Sequence, residues 1–277
     1  MTGPPGPAAP RLTVRRGTAP PAPAAARRLS LAPAEWAVLT EGRLPGLPAA
    51  FAAAATVTGE QRDAALSSLT GRGILVAGGA GPPVPAVAAQ LEVLRRPVLT
   101  VRLDVTGRGG ARHGWFALGA GVVAGAVTLP GGSVELSLTP AAGLGHELAR
   151  AVPEAAVLTA SGAPVGGGAV PAGRLPLALL DTAVPQVAGP TAGERALADE
   201  LLRRTAGSLA CLVVGRAGDP VGAGQVSWLA TDAGWVGLRP AGTARQAVDV
   251  LPVRPADLGT WVAPAVAALL EAADEQG

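Results

Sequence analysis

The string EVLRR beginning at Glu92 returns as ELLRR beginning at Glu200, 108 residues later, each time at the end of a helical pattern and ahead of an apolar strand pattern. A chain that writes one order of elements twice is constrained more by that repetition than by any single residue. In the first copy, PAVAAQLEVLRR places Val84, Val87, Ala88, Leu91 and Leu94 on one helical face, and its closing arginines suit the helix dipole. In the second, Thr191 and Glu194 have capping-box spacing ahead of ERALADELLRRT. Strands then start near Leu99 and Leu209, 110 residues apart. Leu99, Val101, Leu103 and Val105 alternate with Thr100, Arg102 and Asp104, the period of a strand with one wet face.

Three further short strands follow in the first copy (WFALG, VVAGAVT, SVELSL), and the second reads as four (LACLVVG, GQVSWLA, GWVGLR, QAVDVL). Each copy closes with a helix, one marked by Leu144, Leu148 and Val152, the other starting near Ala256 with Leu258, Trp261, Val262, Val266, Leu269 and Leu270 inward. Five matched elements predict an α+β fold: a pseudo-twofold duplicated domain of antiparallel strand meanders with helices packed on the sheet, ending in a C-terminal helix. Ahead of the first copy, LSLAPAEWAVL combines a short strand-like piece with a helix around Glu35 to Leu39, and GRLPGLP breaks it. A second short helix begins at the Thr58 and Gln61 capping pair and stops at Gly71.

The expected division is a Pro/Ala-rich basic tail over 1–28, a first half over 29–159, a Gly/Ala/Pro connector over 160–173 and a second half over 174–277. The tail is expected to be dispensable, because its five arginines have no acid among them and no apolar periodicity. The 22 basic residues are all arginine, and outside the tail 17 bases face 20 acids, so no basic face for nucleic acid is expected. No run of 18 apolar residues is free of charge or turn signals, and no apolar segment follows Arg15 and Arg16 as a signal would need. Cytoplasmic localisation without membrane insertion is therefore expected.

One cysteine, Cys211, cannot form an internal disulfide, and two histidines cannot complete a closed zinc site. Cys211 lies inside LACLVV and reads as a core filler. GAGVVAG mimics a dinucleotide fingerprint at Gly119, Gly121 and Gly125, but β-branched residues and an early turn follow where a helix must open. No lysine exists for a Walker loop, and no G-x-S-x-G occurs. His113 falls in what reads as a solvated Gly/Arg turn, and His146 points away from Glu147 on its helix. Glu35, Asp104, Asp232 and Asp249 read as surface or turn carboxylates. No acid and base set converges, so neither an enzyme nor a cofactor or metal is expected.

The order and wording of these segments resemble the EspG family of type VII (ESX) secretion-associated proteins over roughly Leu29 to Leu270. The resemblance is carried by LSLAPAEWAVL, LPGLP, SSLTGRGIL, VAAQLEVLRRPVLTVRLDV, ARHGWFALGAGVVAGAV and VSWLATDAGWVGLRP, and most of all by GRGIL ahead of the helix ending RRP with its alternating strand and by SWLATDAGW. The family's usual Asp ahead of the Thr-Asp turn is Ala230 here, and its basic residue after the turn glycine is Trp235. The resemblance implies a cytosolic chaperone that binds the apolar tip of PE/PPE-type secretion substrates, a heterodimer, keeps them soluble and directs them to export, with no cofactor. By position it implies partner contacts in the Thr106 to Arg112 turn (Arg108, Arg112), the strand hairpin with Trp228, Asp232 and Trp235, and the last helix near Trp261. That turn, with its glycines, is expected to be a mobile edge. The alternatives are a small-molecule-binding protein, which would need a deep polar pocket, and a non-catalytic assembly subunit.

Overall fold

The computed structural model describes residues 27–44, 48–52, 57–76, 81–159, 168–180, 189–216, 221–241 and 247–274. The first half runs through strand β1 (Arg27–Leu31), helices α1 (Pro33–Thr40), α2 (Gly59–Gly71) and α3 (Pro85–Arg95), strands β2 (Leu99–Gly107), β3 (Gly110–Gly119), β4 (Val122–Thr128) and β5 (Val134–Pro140), and helices α4 (Leu144–Ala151) and α5 (Ala155–Leu158). The second half comprises β6 (Gly173–Pro176), α6 (Ala192–Arg204), β7 (Thr205–Arg216), β8 (Val221–Thr231), β9 (Gly234–Pro240), β10 (Ala247–Val253) and α7 (Leu258–Asp274). Both capping boxes form: the Thr58 N–H donates to Gln61 Oε1 at 3.0 Å, and the Thr191 N–H to Glu194 Oε2 at 2.7 Å.

All ten strands make one antiparallel sheet in the order β1-β5-β4-β3-β2-β7-β8-β9-β10-β6. Read outward from the middle, the two halves give the same sequence of strands, which is the duplication expressed as topology. The register fixes the axis. Gly119 and Thr231 each close a two-residue hairpin, and counting back from them makes Leu99 equivalent to Gly207, so the 108-residue offset of the helices continues into the central strands. That offset carries Leu103 onto Cys211, and these two residues pair across the β2–β7 ladder. The pseudo-axis therefore passes between them. The 110-residue offset expected for the strand starts is corrected here, because β7 begins at Thr205, ahead of its apolar run.

One face of the sheet is covered continuously. Leu103, Val105, Phe116, Cys211, Val213 and Trp228 pack there beneath α4, α5 and α7. α4 and α7 each begin after a 3-10 turn, and their second residues, Gly145 and Gly259, are pseudo-equivalent and in contact. A Cβ on Gly259 would lie 2.7 Å from the Gly145 Cα, so backbone meets backbone close to the axis. The opposite face carries two separate clusters, one under α1 to α3 around Trp36, Leu69 and Leu91, the other under α6 around Leu175, Leu201 and Val250.

Two expectations at the chain's start need correction. The strand begins at Arg27, so the tail boundary at 28 cuts into β1, and Arg28 does have acid partners: its guanidinium donates to Glu147 Oε1 at 2.6 Å and Glu135 Oε1 at 3.1 Å. Glu35 is buried, not a surface carboxylate; it accepts from the Ala32 N–H at 2.8 Å, Ser68 Oγ at 2.7 Å and Arg72 Nη1 at 2.8 Å. The connector expected over 160–173 lies outside the described residues up to 167, and its last residue opens β6.

Candidate functional site: the open centre of the sheet

Side chains alternate across a strand, so the residues between the buried ones of β2 and β7 must face the other way. On that side α3 packs on β3, β4 and β5 while α6 packs on β6, and the residues of the central strands between them stay exposed or partly exposed, Arg102, Asp104, Leu212 and Val214 among them. The floor of this trough has two characters. On the β2–β3 side, Asp104 accepts from Arg102 Nε at 2.8 Å through one oxygen and sits 2.7 Å from His113 Nδ1 through the other. On the β7 side the floor is Ala210, Leu212 and Val214, all partly exposed. Toward the β2–β3 turn, Thr106 and Ser208 hydroxyls meet at 3.0 Å; toward the opposite end stands Val98, 48% exposed.

His113 is thus a strand residue paired with Asp104 across β2–β3, and not part of a solvated turn. The expected Thr106–Arg112 loop contracts to the two residues Arg108 and Gly109, because Gly107 pairs with Gly110 and Thr106 with Ala111. Its glycines lie close against α5: Cβ atoms on Gly107 and Gly109 would fall 2.8 Å from the Leu158 side chain and 2.9 Å from the Val157 carbonyl. Small residues let the hairpin press against that helix.

The partner residues implied by position do not gather on one surface. Arg108 is exposed at the turn tip, whereas Arg112 pairs with Val105 and lies on the covered face. Trp228 and Trp235 are buried, with ring centroids 6.2 Å apart, and the Trp235 Nε1 donates to the Pro153 carbonyl at 2.9 Å. Both belong to the core. Trp261 stands edge-on to Trp228 at 5.8 Å, over Gly237, with the Arg239 guanidinium 5.8 Å from its ring. Asp232 is held by Arg204 Nε at 2.6 Å. It lines a cleft of about 580 Å³ with Glu154, Trp235, Arg254 and Asp257, where Asp257 in turn accepts from the Arg254 N–H at 2.8 Å. Two of the three carboxylates in the cleft are therefore committed to local structure.

Among the described residues no group of three or more His, Cys, Asp or Glu is placed to hold a metal ion. Cys211 is fully buried, and burial first, then the Asp104 charge, pushes its thiol up to about 12, far from a reactive thiolate. Pro255–Ala273 is long and apolar enough to cross a membrane by length and composition; here Leu258 and Val262 seat it on β7 and β8.

Arg102, Leu212 and Val214 were missed as site residues for different reasons. Arg102 was legible as the wet side of an alternating strand. LACLVVG reads as apolar on both faces, and only the sheet order shows which of its residues lack a covering helix.

No family model matches the chain, and no curated protein is similar to it in sequence. Among solved structures it is similar to the Mycobacterium tuberculosis type VII secretion system chaperone EspG5, solved in complex with the PE25–PPE41 dimer. The two share 12% identity at a TM-score of 0.56, over 89% of this chain and 96% of that one. At that identity the likeness is one of fold, and it extends over almost the whole of both chains.

Proposed function

We propose that this chain is a cytosolic chaperone of the EspG kind, which binds a PE/PPE-type secretion substrate and holds it soluble for a type VII system. The observation that carries this reading is the near end-to-end fold likeness to a chaperone solved with such a dimer. One feature of the chain supports it: the sheet centre offers partly exposed Leu212 and Val214 beside polar groups. Burial of such apolar surface would supply the affinity, and the polar margin the register.

Co-expression with a PE–PPE heterodimer from the genome that encodes this chain, followed by pull-down, tests the reading. The wild type should capture the pair. Leu212→Asp with Val214→Asp should lose it while keeping the wild-type thermal midpoint, since both side chains are partly exposed. Failure of the wild type to capture any such pair, with a small metabolite raising its melting temperature through the Asp232 cleft, would replace the chaperone reading with a small-molecule one.

A further inference from the structure

The two halves treat one junction differently. In the first half the Ala141 N–H donates to the Gly121 carbonyl at 2.9 Å, which stitches the 3-10 turn ahead of α4 to the β3–β4 hairpin turn. Setting Gly145 on Gly259 places Ala141 on Pro255, and setting Gly119 on Thr231 places Gly121 on Ala233. Proline has no N–H, so the equivalent stitch cannot form. Pro255 and Ala233 instead line the cleft of about 580 Å³ beside Trp235, with the start of α5 from the first half as a further wall.

The charges of the cleft are as particular to the second half as its opening. Asp232, Arg254 and Asp257 stand where the first half has Ala120, Pro140 and Gly143, so the same fold is built there without them. Asp232 is held by Arg204, and Asp257 accepts from the Arg254 N–H. The Glu154 carboxylate and the Arg254 guanidinium remain. Both line the cleft, Glu154 from the start of α5, where its side chain makes no capping bond, and Arg254 from the chain leading into α7. Among the described residues no side chain of opposite charge pairs with either, and the two do not pair with each other. Partly exposed Val170, Val253 and Pro255 supply apolar lining.

A carboxylate and a guanidinium, both uncommitted, beside apolar surface in one cleft match a ligand that carries both charges and an apolar body. We propose that this cleft binds a small zwitterion with an apolar side chain, an amino acid or a short peptide. Its ammonium donates to Glu154 and to the Ala233 carbonyl that Pro255 cannot serve, its carboxylate accepts from the Arg254 fork, and its side chain covers Val170 and Val253. None of the lining residues belongs to the open centre of the sheet, so the site is independent of the chaperone reading.

The test uses the full chain, with leucine and leucyl-leucine as probes, read by thermal shift and titration calorimetry. At least one should raise the melting midpoint in a concentration-dependent way. The N-acetyl derivative of the tighter probe, which lacks the ammonium, and its amide, which lacks the carboxylate, should each bind about tenfold more weakly. Glu154→Gln should cost about tenfold for the probe and its amide while sparing the N-acetyl form. Arg254→Gln should weaken the probe and the N-acetyl form while sparing the amide. Pro255→Ala restores the missing N–H, lets the stitch to Ala233 form and should weaken the probe by narrowing the cleft. Tighter binding of the dipeptide assigns the site to peptides and tighter binding of leucine to free amino acids, and either supports the proposal. No midpoint shift with either probe, derivatives that bind as tightly as the parent, or a shift that Glu154→Gln and Arg254→Gln both leave unchanged would overturn it. A melting curve of each variant without probe separates lost binding from lost folding. Capture of a PE–PPE pair decides the chaperone reading separately, since these substitutions leave the sheet centre intact.

Discussion

Cys211 sits opposite its own pseudo-equivalent Leu103, under the helices and with no polar partner for a hydroxyl. Cys211→Ser should therefore lower stability by about 1–3 kcal/mol, and Cys211→Ala by less than a large-to-small change at Leu103, as read from denaturant midpoints. The folded protein should resist thiol labelling. The two core tryptophans make a sharper contrast. Trp228 Nε1 has no hydrogen-bond partner among the described residues, whereas Trp235 Nε1 donates to the Pro153 carbonyl. Phenylalanine at 235 leaves that carbonyl without its donor and should cost about 1 kcal/mol more than phenylalanine at 228, beyond the shared loss of ring volume. These roles were only half legible in sequence. LACLVV marked Cys211 as apolar and buried, but nothing local distinguishes a tryptophan with a carbonyl within reach from one without.

At the level of elements, β1 is held to the body by Arg28 reaching Glu147, a carboxylate 1% exposed, with Arg150 also pairing Glu135. Burial alone would raise the Glu147 carboxyl, but the hydrogen bond and charge of Arg28, with Arg150, outweigh it and hold the carboxyl below the usual glutamate range. A carboxylate with a depressed folded value contributes stability that is present above its unfolded value and lost as pH falls through the folded one. Acid should thus loosen β1, with the loss falling below the ordinary glutamate range, near 4.5. Glu147→Gln should flatten that acid limb, and Arg28→Ala should cost about 1–3 kcal/mol at neutral pH by leaving the buried Glu147 carboxylate with only the longer Arg150 pairing at 3.5 Å. Removal of residues 1–28 should be destabilising for the same reason, while a cut that leaves Arg27 and Arg28 in place should spare this anchor. The α4–α7 crossing is equally specific. Gly259→Ala drives a methyl into the Gly145 backbone and should cost about 1–3 kcal/mol, against a smaller change for Gly71→Ala, where nothing lies within 4 Å.

For the whole molecule, the duplication builds a sheet whose two faces have opposite obligations. The face under α4, α5 and α7 closes the core across the pseudo-axis, so each half stabilises the other and the two should unfold in one cooperative transition. Coincident denaturation curves by tryptophan fluorescence and by far-ultraviolet circular dichroism would show this; two separated transitions would show that the halves fold independently. The face between α3 and α6 is free of that obligation, so it accommodates Arg102 and Asp104 in one half and Ala210 and Leu212 at the equivalent positions of the other. Substitutions on this face should move binding with little effect on stability.

Periodicity was enough to place most strands and the long helices, because amphipathic alternation and capping pairs are local consequences of backbone geometry. The repeated EVLRR and ELLRR phrases were enough for the duplication, since equivalent elements must solve the same packing problem. The site was another matter. A sequence states that Trp228 and Leu212 are apolar, yet which of them is core and which is surface depends on which face of β7 and β8 the helices cover. That choice is made by α7 crossing α4 at Gly145 and Gly259, by α3 and α6 standing apart, and by pairings such as His113 with Asp104 across neighbouring strands. These are contacts between residues far apart in the chain, and no local pattern encodes them.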